Sequence, residues 1–155
     1  NEAPSRARRV LRNGDTIVGT VRPGNRSFAF IHSAASNLTG STGFAVLRPR
    51  KPENTEFVYL AATQDSSIEG LAHIADGGAY PAVRPEVVAG LQSILTSIEI
   101  MNAFHDVVEP LLAAIAENQQ QARTLATMRD TLLPRLISGQ LRLPEAQAQL
   151  GVALV

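Results

Sequence analysis

The hydrophobic pattern of the C-terminal third of the chain predicts one very long helix. From about residue 98 to 139, apolar side chains recur at alternating spacings of three and four, which is typical of one face of a helix. About forty residues rising about 1.5 Å each make a rod of about 60 Å. The average globular helix has only about 10 to 14 residues, so a helix this long usually spaces, pairs or bridges other parts of an assembly.

The apolar face of this helix has the spacing of a coiled-coil seam. Asn118 and Arg129 interrupt it where coiled coils often carry a register-setting polar group, although Asn118 also suits a solvated position in the middle of a helix. We expect Pro110 and Pro134 to kink the helix or mark a joint, because proline removes a backbone hydrogen bond, and Gly139 to cap its end. The residues predicted to pack against another helix are Met101, Phe104, Val108, Leu111, Ile115, Asn118, Leu125, Leu132 and Leu136.

Short apolar runs in the first half of the chain predict a small sheet. Two of these runs flank the turn residues Pro23, Gly24 and Asn25, which is the pattern of a β-hairpin. Asn54 or Thr55 is a suitable N-cap for the helix that follows the sheet. The predicted elements are strands over 16–22, 27–32 and 42–47, helices over 53–63 and 85–91, and a final strand over 91–98. The predicted fold class is α+β, a small mixed or antiparallel sheet followed by a long coiled-coil-forming helix.

Composition limits the chain to one modest core with a helical appendage, since it has 155 residues of which 45% are apolar. There is no cysteine and no apolar run of eighteen residues, which excludes a disulfide framework and a helical membrane span. We therefore expect a cytoplasmic protein. The chain begins without an initiator Met and without a secretory signal, and we expect it to be a fragment of a longer polypeptide.

The net charge is zero, but the charge is unevenly distributed. Residues 1–52 hold nine Lys or Arg against two acids, and residues 53–155 hold five against twelve, so the two parts carry about +7 and −7. A basic surface of this kind suits phosphate and predicts salt-dependent binding to a polyanion. The alternative is a solvated basic face, or one that the acidic part neutralises. The basic residues of the first part are Arg6, Arg8, Arg9, Arg12, Arg22, Arg26, Arg48, Arg50 and Lys51.

The sequence shows little sign of catalytic chemistry. His32, His73 and His105 lie far apart and lack the spacing of metal ligands. The glycines near the first strand are not followed by the Gly-Lys-Ser or Gly-Lys-Thr of a phosphate loop, and no serine stands in a nucleophile-elbow pattern. No pair of carboxylates suggests acid–base work. These patterns favour a binding module without a metal or a catalytic residue.

Five phrases of the chain stand in an order that is specific to one family. They are Gly14-Asp15-Thr16-Ile17, Arg22-Pro23-Gly24-Asn25, Ser41-Thr42-Gly43-Phe44-Ala45-Val46-Leu47-Arg48-Pro49, Gly77-Gly78-Ala79-Tyr80-Pro81 and Leu132-Leu133-Pro134-Arg135-Leu136-Ile137-Ser138-Gly139. In this order they resemble the C-terminal part of the DNA specificity subunits of type I restriction-modification systems, namely the second target-recognition domain and the conserved spacer helix. The resemblance covers about residues 10–143.

The resemblance implies a non-catalytic subunit that reads one half of a bipartite target in double-stranded DNA and scaffolds the methyltransferase subunits. S-adenosylmethionine, ATP and Mg²⁺ are then expected only on partner subunits, including an indirectly attached motor and nuclease subunit. The long helix would pair with a second spacer helix of the same subunit or with a copy of this fragment. The implied domains are the C-terminal portion of a target-recognition domain (1–97), the spacer helix (98–143) and a tail (144–155).

Charge and loop position select the candidate DNA contacts, because arginine and lysine suit phosphate and because asparagine and arginine suit the bidentate reading of adenine and guanine. A packed loop position for Tyr80 and a structural role at the end of a strand for Arg48 are the alternatives. The candidates for phosphate are Arg22, Arg26, Arg48, Arg50 and Lys51, and those for base edges are Asn25, Tyr80 and Arg84.

Two other classes of protein are compatible with the same pattern. One is a cytosolic coiled-coil scaffold whose basic domain binds protein or RNA, and the other is a small-molecule enzyme with a helical dimerisation arm. A titration against duplex DNA at two salt concentrations separates DNA binding from the scaffold. A pocket lined with titratable groups would favour the enzyme.

Overall fold

The computed structural model describes residues 5–94, 96–146 and 148. The chain divides into two compact units, Asn1–Ala113 and Ala114–Val155. The predicted domain boundaries after residues 97 and 143 stay predictions. No helix of the described residues combines the length and the apolar character that crossing a lipid bilayer requires.

The first unit contains two small antiparallel sheets. Strands β2 and β3 form the predicted hairpin, and β2 also pairs with β5, so that β2 lies at the centre of a three-stranded sheet in the order β3-β2-β5. Strands β1 and β4 form a separate two-stranded ribbon. The strands are β1 Ala7–Val10, β2 Thr16–Gly19, β3 Phe28–Phe30, β4 Thr39–Ser41 and β5 Phe44–Leu47.

Helices follow the sheets along the chain, and this order confirms the predicted α+β class with a long C-terminal helix. The predicted helix over 53–63 starts later, because Pro52–Asn54 form a 3₁₀ turn before it. The predicted turn at Pro23–Asn25 is also a short 3₁₀ helix. The α-helices are α1 Thr55–Thr63, α2 Asp65–Ile74, α3 Pro85–Ala89 and α4 Ile98–Ile137.

The predicted final strand over 91–98 is wrong. The described residues 91–94 and 96–97 form no strand, and Ile98 begins α4. A half-buried strand needs one apolar face against a core, but Gln92 and Ser93 are exposed and Ile94 is 77% exposed. Of the described residues 91–94 and 96–97, Leu91 packs against the core cluster.

The core of the first unit lies between the three-stranded sheet and the short helices. Val18 and Ala45 come from the two neighbouring strands β2 and β5, and Ile68 and Leu71 from α2, a helix that the sequence analysis did not predict. Asp65, Ser66, Ser67 and Gly70 are weak helix formers, so the propensity of this segment is low. Tertiary packing of Ile68 and Leu71, which are three residues apart, outweighs that low propensity.

The first turns of α4 pack against α1 within the first unit. The Phe104 ring meets the Phe57 ring edge-on, with centroids 6.0 Å apart. Beside this pair, Nδ1 of His105 lies 2.6 Å from Oε2 of the buried Glu56. This hydrogen bond raises the pKa of His105 above its ordinary value, with smaller electrostatic contributions from the carboxylates of Glu56, Asp106 and Glu109.

The His105–Glu56 hydrogen bond predicts a stability that depends on pH. A histidine whose pKa is raised by folding stabilises the fold fully below its unfolded pKa of about 6.5 and loses that contribution as pH rises through the folded pKa. We therefore expect the free energy of unfolding to fall with rising pH above about 6.5. Urea denaturation at a series of pH values measures this fall, and in His105→Gln it should be smaller. His73→Gln, on the exposed end of α2, is the matched control, and an equal fall in all three proteins would contradict the assignment.

Helix α4 runs for 40 residues, and neither Pro110 nor Pro134 divides it into two helices. It ends near the predicted cap, since Gly139 has φ +72° and its N–H donates to the Leu136 carbonyl oxygen at 3.1 Å. No residue of this fully described helix is buried. Of the predicted packing residues, Met101, Phe104, Val108, Leu132 and Leu136 are half-buried, and Leu111, Ile115, Asn118 and Leu125 are exposed. Packing against a second helix stays a prediction.

Candidate nucleic-acid interface

Two loops of the first unit are joined into one surface by backbone hydrogen bonds. The N–H of Arg22 donates to the Pro81 carbonyl oxygen at 2.7 Å, and the N–H of Val83 donates to the Thr20 carbonyl oxygen at 2.9 Å. Residues 20–26 and 76–83 therefore form a continuous surface next to the end of β2, which we call the two-loop surface. Four of the eight sequence-predicted DNA contacts, Arg22, Asn25, Arg26 and Tyr80, lie on it.

The backbone of the two-loop surface adopts conformations that side chains usually avoid. Within the described residues, Arg22 (φ 48°) and Arg26 (φ 57°) are the non-glycine residues with positive φ, and they flank the 3₁₀ turn. For an ordinary residue this conformation costs about 1–2 kcal/mol. On the facing loop, Gly77 has φ 118°, and a Cβ there would lie 2.8 Å from the Tyr80 carbonyl oxygen. Such strain concentrates at functional sites and supports a role for these loops.

Arg22 and Tyr80 contact each other across the two loops. The Arg22 guanidinium carbon lies 4.5 Å from the centre of the Tyr80 ring, which is the geometry of a cation–π interaction. Nη2 of Arg22 also donates to the Ala79 carbonyl oxygen at 2.9 Å. Tyr80 is nevertheless 70% exposed, so one face of this pair is open to solvent. Tyr80 thus packs against Arg22 and is also accessible to solvent. Its position is compatible with both sequence-based interpretations, a packed loop residue and a DNA contact.

Arg26 and Asn25 lie at the other end of the 3₁₀ turn. Arg26 forms an ion pair with Asp65, the first residue of α2, and both side chains are largely exposed. Asn25 is exposed. Exposed ion pairs contribute little free energy, so a phosphate group can replace Asp65 as the partner of Arg26 at low cost. Arg84 is exposed directly before α3, just beyond the second loop.

The remaining candidates, Arg48, Arg50 and Lys51, lie on the segment that follows β5. Nε and Nη2 of Arg48 both donate to the Asp15 carboxylate at 2.7 Å, and Asp15 is fully buried. This hydrogen bond holds the pKa of the Arg48 guanidinium above its ordinary value. Lys51 lies 4.0 Å from Glu53, and Arg50 is exposed. The contacts of Arg48 with Asp15 therefore support a structural role at the end of β5, which was the alternative to a phosphate contact.

Sequence reasoning did not assign a role to four charged residues that the structure pairs. Asp15 and Asp65 hold the two arginines Arg48 and Arg26, and Glu56 and His105 join α1 to α4. Each pair joins residues that are far apart in the chain, so spacing along the sequence carried no signal for it. Asp15 did belong to one of the family phrases. Among the described residues, no group of three or more His, Cys, Asp or Glu is arranged to hold a metal ion.

The first unit also contains an open cleft of about 620 Å³. The described residues of its lining are apolar or uncharged, and they include Phe57, Leu60, Gln64, Ile94 and Phe104. Among the described residues that line this cleft, none is an acid or a base of the kind that general acid–base catalysis requires, and its hydroxyl groups are those of Thr63 and Ser93.

The chain is similar in sequence to specificity subunits of type I restriction enzymes. It is 26% identical over 134 residues to the HindI specificity subunit of Haemophilus influenzae, a match that covers 84% of this chain and 29% of that protein. It is 31% identical over 78 residues to the MjaIX specificity subunit of Methanocaldococcus jannaschii, which covers 50% of this chain and 18% of that protein. The chain thus spans less than a third of the length of these two relatives.

No protein-family model matches the chain. No solved structure matches it either. The similarity to two specificity subunits confirms the resemblance that the five sequence phrases carry.

Proposed function

We propose that this chain is the C-terminal part of the DNA specificity subunit of a type I restriction-modification system and reads one half of a bipartite target. The observation that carries the proposal is the similarity to the HindI specificity subunit over 84% of the chain. Basic residues, exposed loops and strained backbone at the two-loop surface support it from the structure. In this proposal, Arg26, Arg50 and Lys51 contact phosphates, and Asn25, Tyr80 and Arg84 approach base edges.

The chain performs no reaction in this proposal. Methylation and cleavage belong to partner subunits, which bind S-adenosylmethionine, ATP and Mg²⁺. The role of this chain is to hold those subunits at the correct DNA sequence, because phosphate contacts fix position and base contacts supply specificity.

Helix α4 is the scaffolding element of the proposal. A helix of 40 residues is about 60 Å long, and half-sites on one face of B-DNA recur about every 34–36 Å. A second spacer helix, or a copy of this chain, would cover its apolar residues. Two recognition domains joined through such helices would be held at one spacing, which is what a bipartite target requires.

The test of DNA binding is a fluorescence anisotropy titration of a labelled duplex at two salt concentrations, using the subunit that contains this chain in complex with its methyltransferase partners. In Arg26→Ala with Arg50→Ala, the negative slope of log K against log salt should become smaller in magnitude by about 1.8, since each lost phosphate contact removes about 0.9. Affinity near physiological salt should fall about tenfold or more.

The matched control is Arg123→Ala with Arg142→Ala, which removes two positive charges from exposed positions in the second unit. We expect the control to keep the wild-type slope. Absence of duplex binding by the wild-type complex would overturn the proposed function. Equal slopes in the wild type and Arg26→Ala with Arg50→Ala would remove these two residues from the phosphate contacts.

A further inference from the structure

Arg22 differs from Arg26 and Arg48 of the candidate interface in its partners. Arg26 and Arg48 are each paired with a carboxylate, which neutralises their charge in the free chain. The described contacts of the Arg22 guanidinium are with an aromatic ring and a neutral carbonyl group. Its positive charge therefore stays available to a ligand.

The position of the Arg22 guanidinium is fixed by contacts at both ends of its side chain. Its backbone N–H is bound to Pro81, and its φ of 48° sets the direction in which the side chain leaves the loop. At the other end, the Tyr80 ring supports the guanidinium plane and the Ala79 carbonyl accepts one hydrogen of Nη2. A free arginine side chain loses rotamer entropy when a ligand fixes it in one position. Much of that loss has already occurred before a ligand binds, and pre-organisation of this kind increases affinity.

The donors that remain on Arg22 suit one class of base. A guanidinium has five N–H donors in a planar fork, and Ala79 uses one of them. Two neighbouring donors can therefore still bind O6 and N7 of a guanine, which is the commonest specific contact of arginine in the major groove. A phosphate group accepts hydrogen bonds from a guanidinium in many orientations, so a phosphate contact does not need an aromatic ring to hold the arginine. Arg26 and Arg50 can therefore supply phosphate contacts.

We infer that Arg22 reads a guanine of the half-target and that Tyr80 is the positioning residue that holds the Arg22 guanidinium for this contact. This inference rests on the proposed function and revises the role of Arg22 from a phosphate contact to a base contact. It assigns Tyr80 a role through Arg22 instead of a direct hydrogen bond to a base.

The experiment selects duplexes from a random-sequence library with the complete complex, and then measures the affinity of each variant for the selected sequence and its single-base substitutions. With the wild-type complex we expect a G·C pair at a position where substitution lowers affinity about 5- to 150-fold. Arg22→Ala should lose this preference at that position and retain the others. Tyr80→Ala should weaken the preference at the same position, while Tyr80→Phe should keep it, because the ring supports Arg22 without its hydroxyl.

Each other outcome has a distinct meaning. If the wild-type complex selects no sequence, the proposed function itself fails. If it selects a sequence and Arg22→Ala binds every duplex more weakly by the same factor, with a lower salt slope, Arg22 contacts phosphate and the inference is overturned. If Arg22→Ala removes the preference but Tyr80→Ala leaves it at full strength, Tyr80 has no positioning role. Arg123→Ala is the charge-matched control and should select the wild-type sequence.

Discussion

Arg48→Ala is expected to lower the free energy of unfolding by about 2–4 kcal/mol. The substitution removes both side-chain donors that bind Asp15, whose carboxylate is 0% exposed and would remain buried without its cation. Breaking a fully buried ion pair typically costs about 3–5 kcal/mol. The expected value is lower because the Arg48 side chain is 42% exposed, and water screens part of the interaction. Urea denaturation measures the change.

Arg50→Ala is the matched control for this prediction, because Arg50 lies two residues further along and is exposed. We expect Arg50→Ala to change stability by less than about 0.5 kcal/mol. A double-mutant cycle with Asp15→Ala then isolates the pair, and its coupling energy should account for most of the Arg48→Ala effect. If Arg48→Ala is as stable as Arg50→Ala, the pair contributes nothing to the fold.

The stability result also decides the role of Arg48 at the interface. An arginine that must hold a buried carboxylate has fewer donors for DNA, and exchanging Asp15 for a phosphate would leave the Asp15 charge buried and unpaired. The low-cost exchange described for the exposed Arg26–Asp65 pair is therefore not open to Arg48. Charge and loop position placed the two arginines in one class because neither signal reports that Asp15 is buried and Asp65 is exposed.

Elements with a strong period were predictable from the sequence, and elements held by distant contacts were not. The helix from Ile98 is long enough for its spacing to identify it, and it begins at the expected residue. The hairpin was marked by its turn residues. Helix α2 has low local helix propensity and depends on the packing of Ile68 and Leu71 in the core. Strand β4 depends on pairing with β1 across about thirty residues of chain. Neither contact can be recognised from neighbouring residues in the sequence.

The same distinction holds for the candidate interface. Residue type and loop position were enough to select Arg22 and Tyr80 separately. Their contact was not predictable, because it joins two loops that are distant in the chain: Arg22 and its hydrogen-bond partner Ala79 are 57 residues apart. The left-handed backbone at Arg22 and Arg26 had no signal in the sequence, because glycine and asparagine are the residues that usually indicate it. Pairing by Asp15 and Asp65 likewise became visible only in three dimensions.

The largest effect on assembly is expected for the seam of α4. Leu111 and Leu125 lie two heptads apart and are 58% and 53% exposed, so in this chain they bury little surface. An exposed apolar stripe of this kind promotes association, and we expect it to drive pairing of α4 with a second helix. Leu111→Ala with Leu125→Ala should then weaken that association by about 2–5 kcal/mol per leucine that the partner buries fully. The stability of the isolated chain should change far less.

Sedimentation equilibrium over a range of protein concentrations measures this difference. We expect the wild-type chain to self-associate through α4 and the double leucine variant to remain monomeric over the same range. Gln120→Ala with Thr127→Ala is the matched control, since these exposed positions lie about 160–180° around the helix from Leu111. A wild-type chain that stays monomeric at high concentration, or a control that dissociates as readily as the leucine variant, would show that this seam does not pair. Loss of association in the leucine variant alone assigns it to the seam, because both variants introduce two alanines into the same helix.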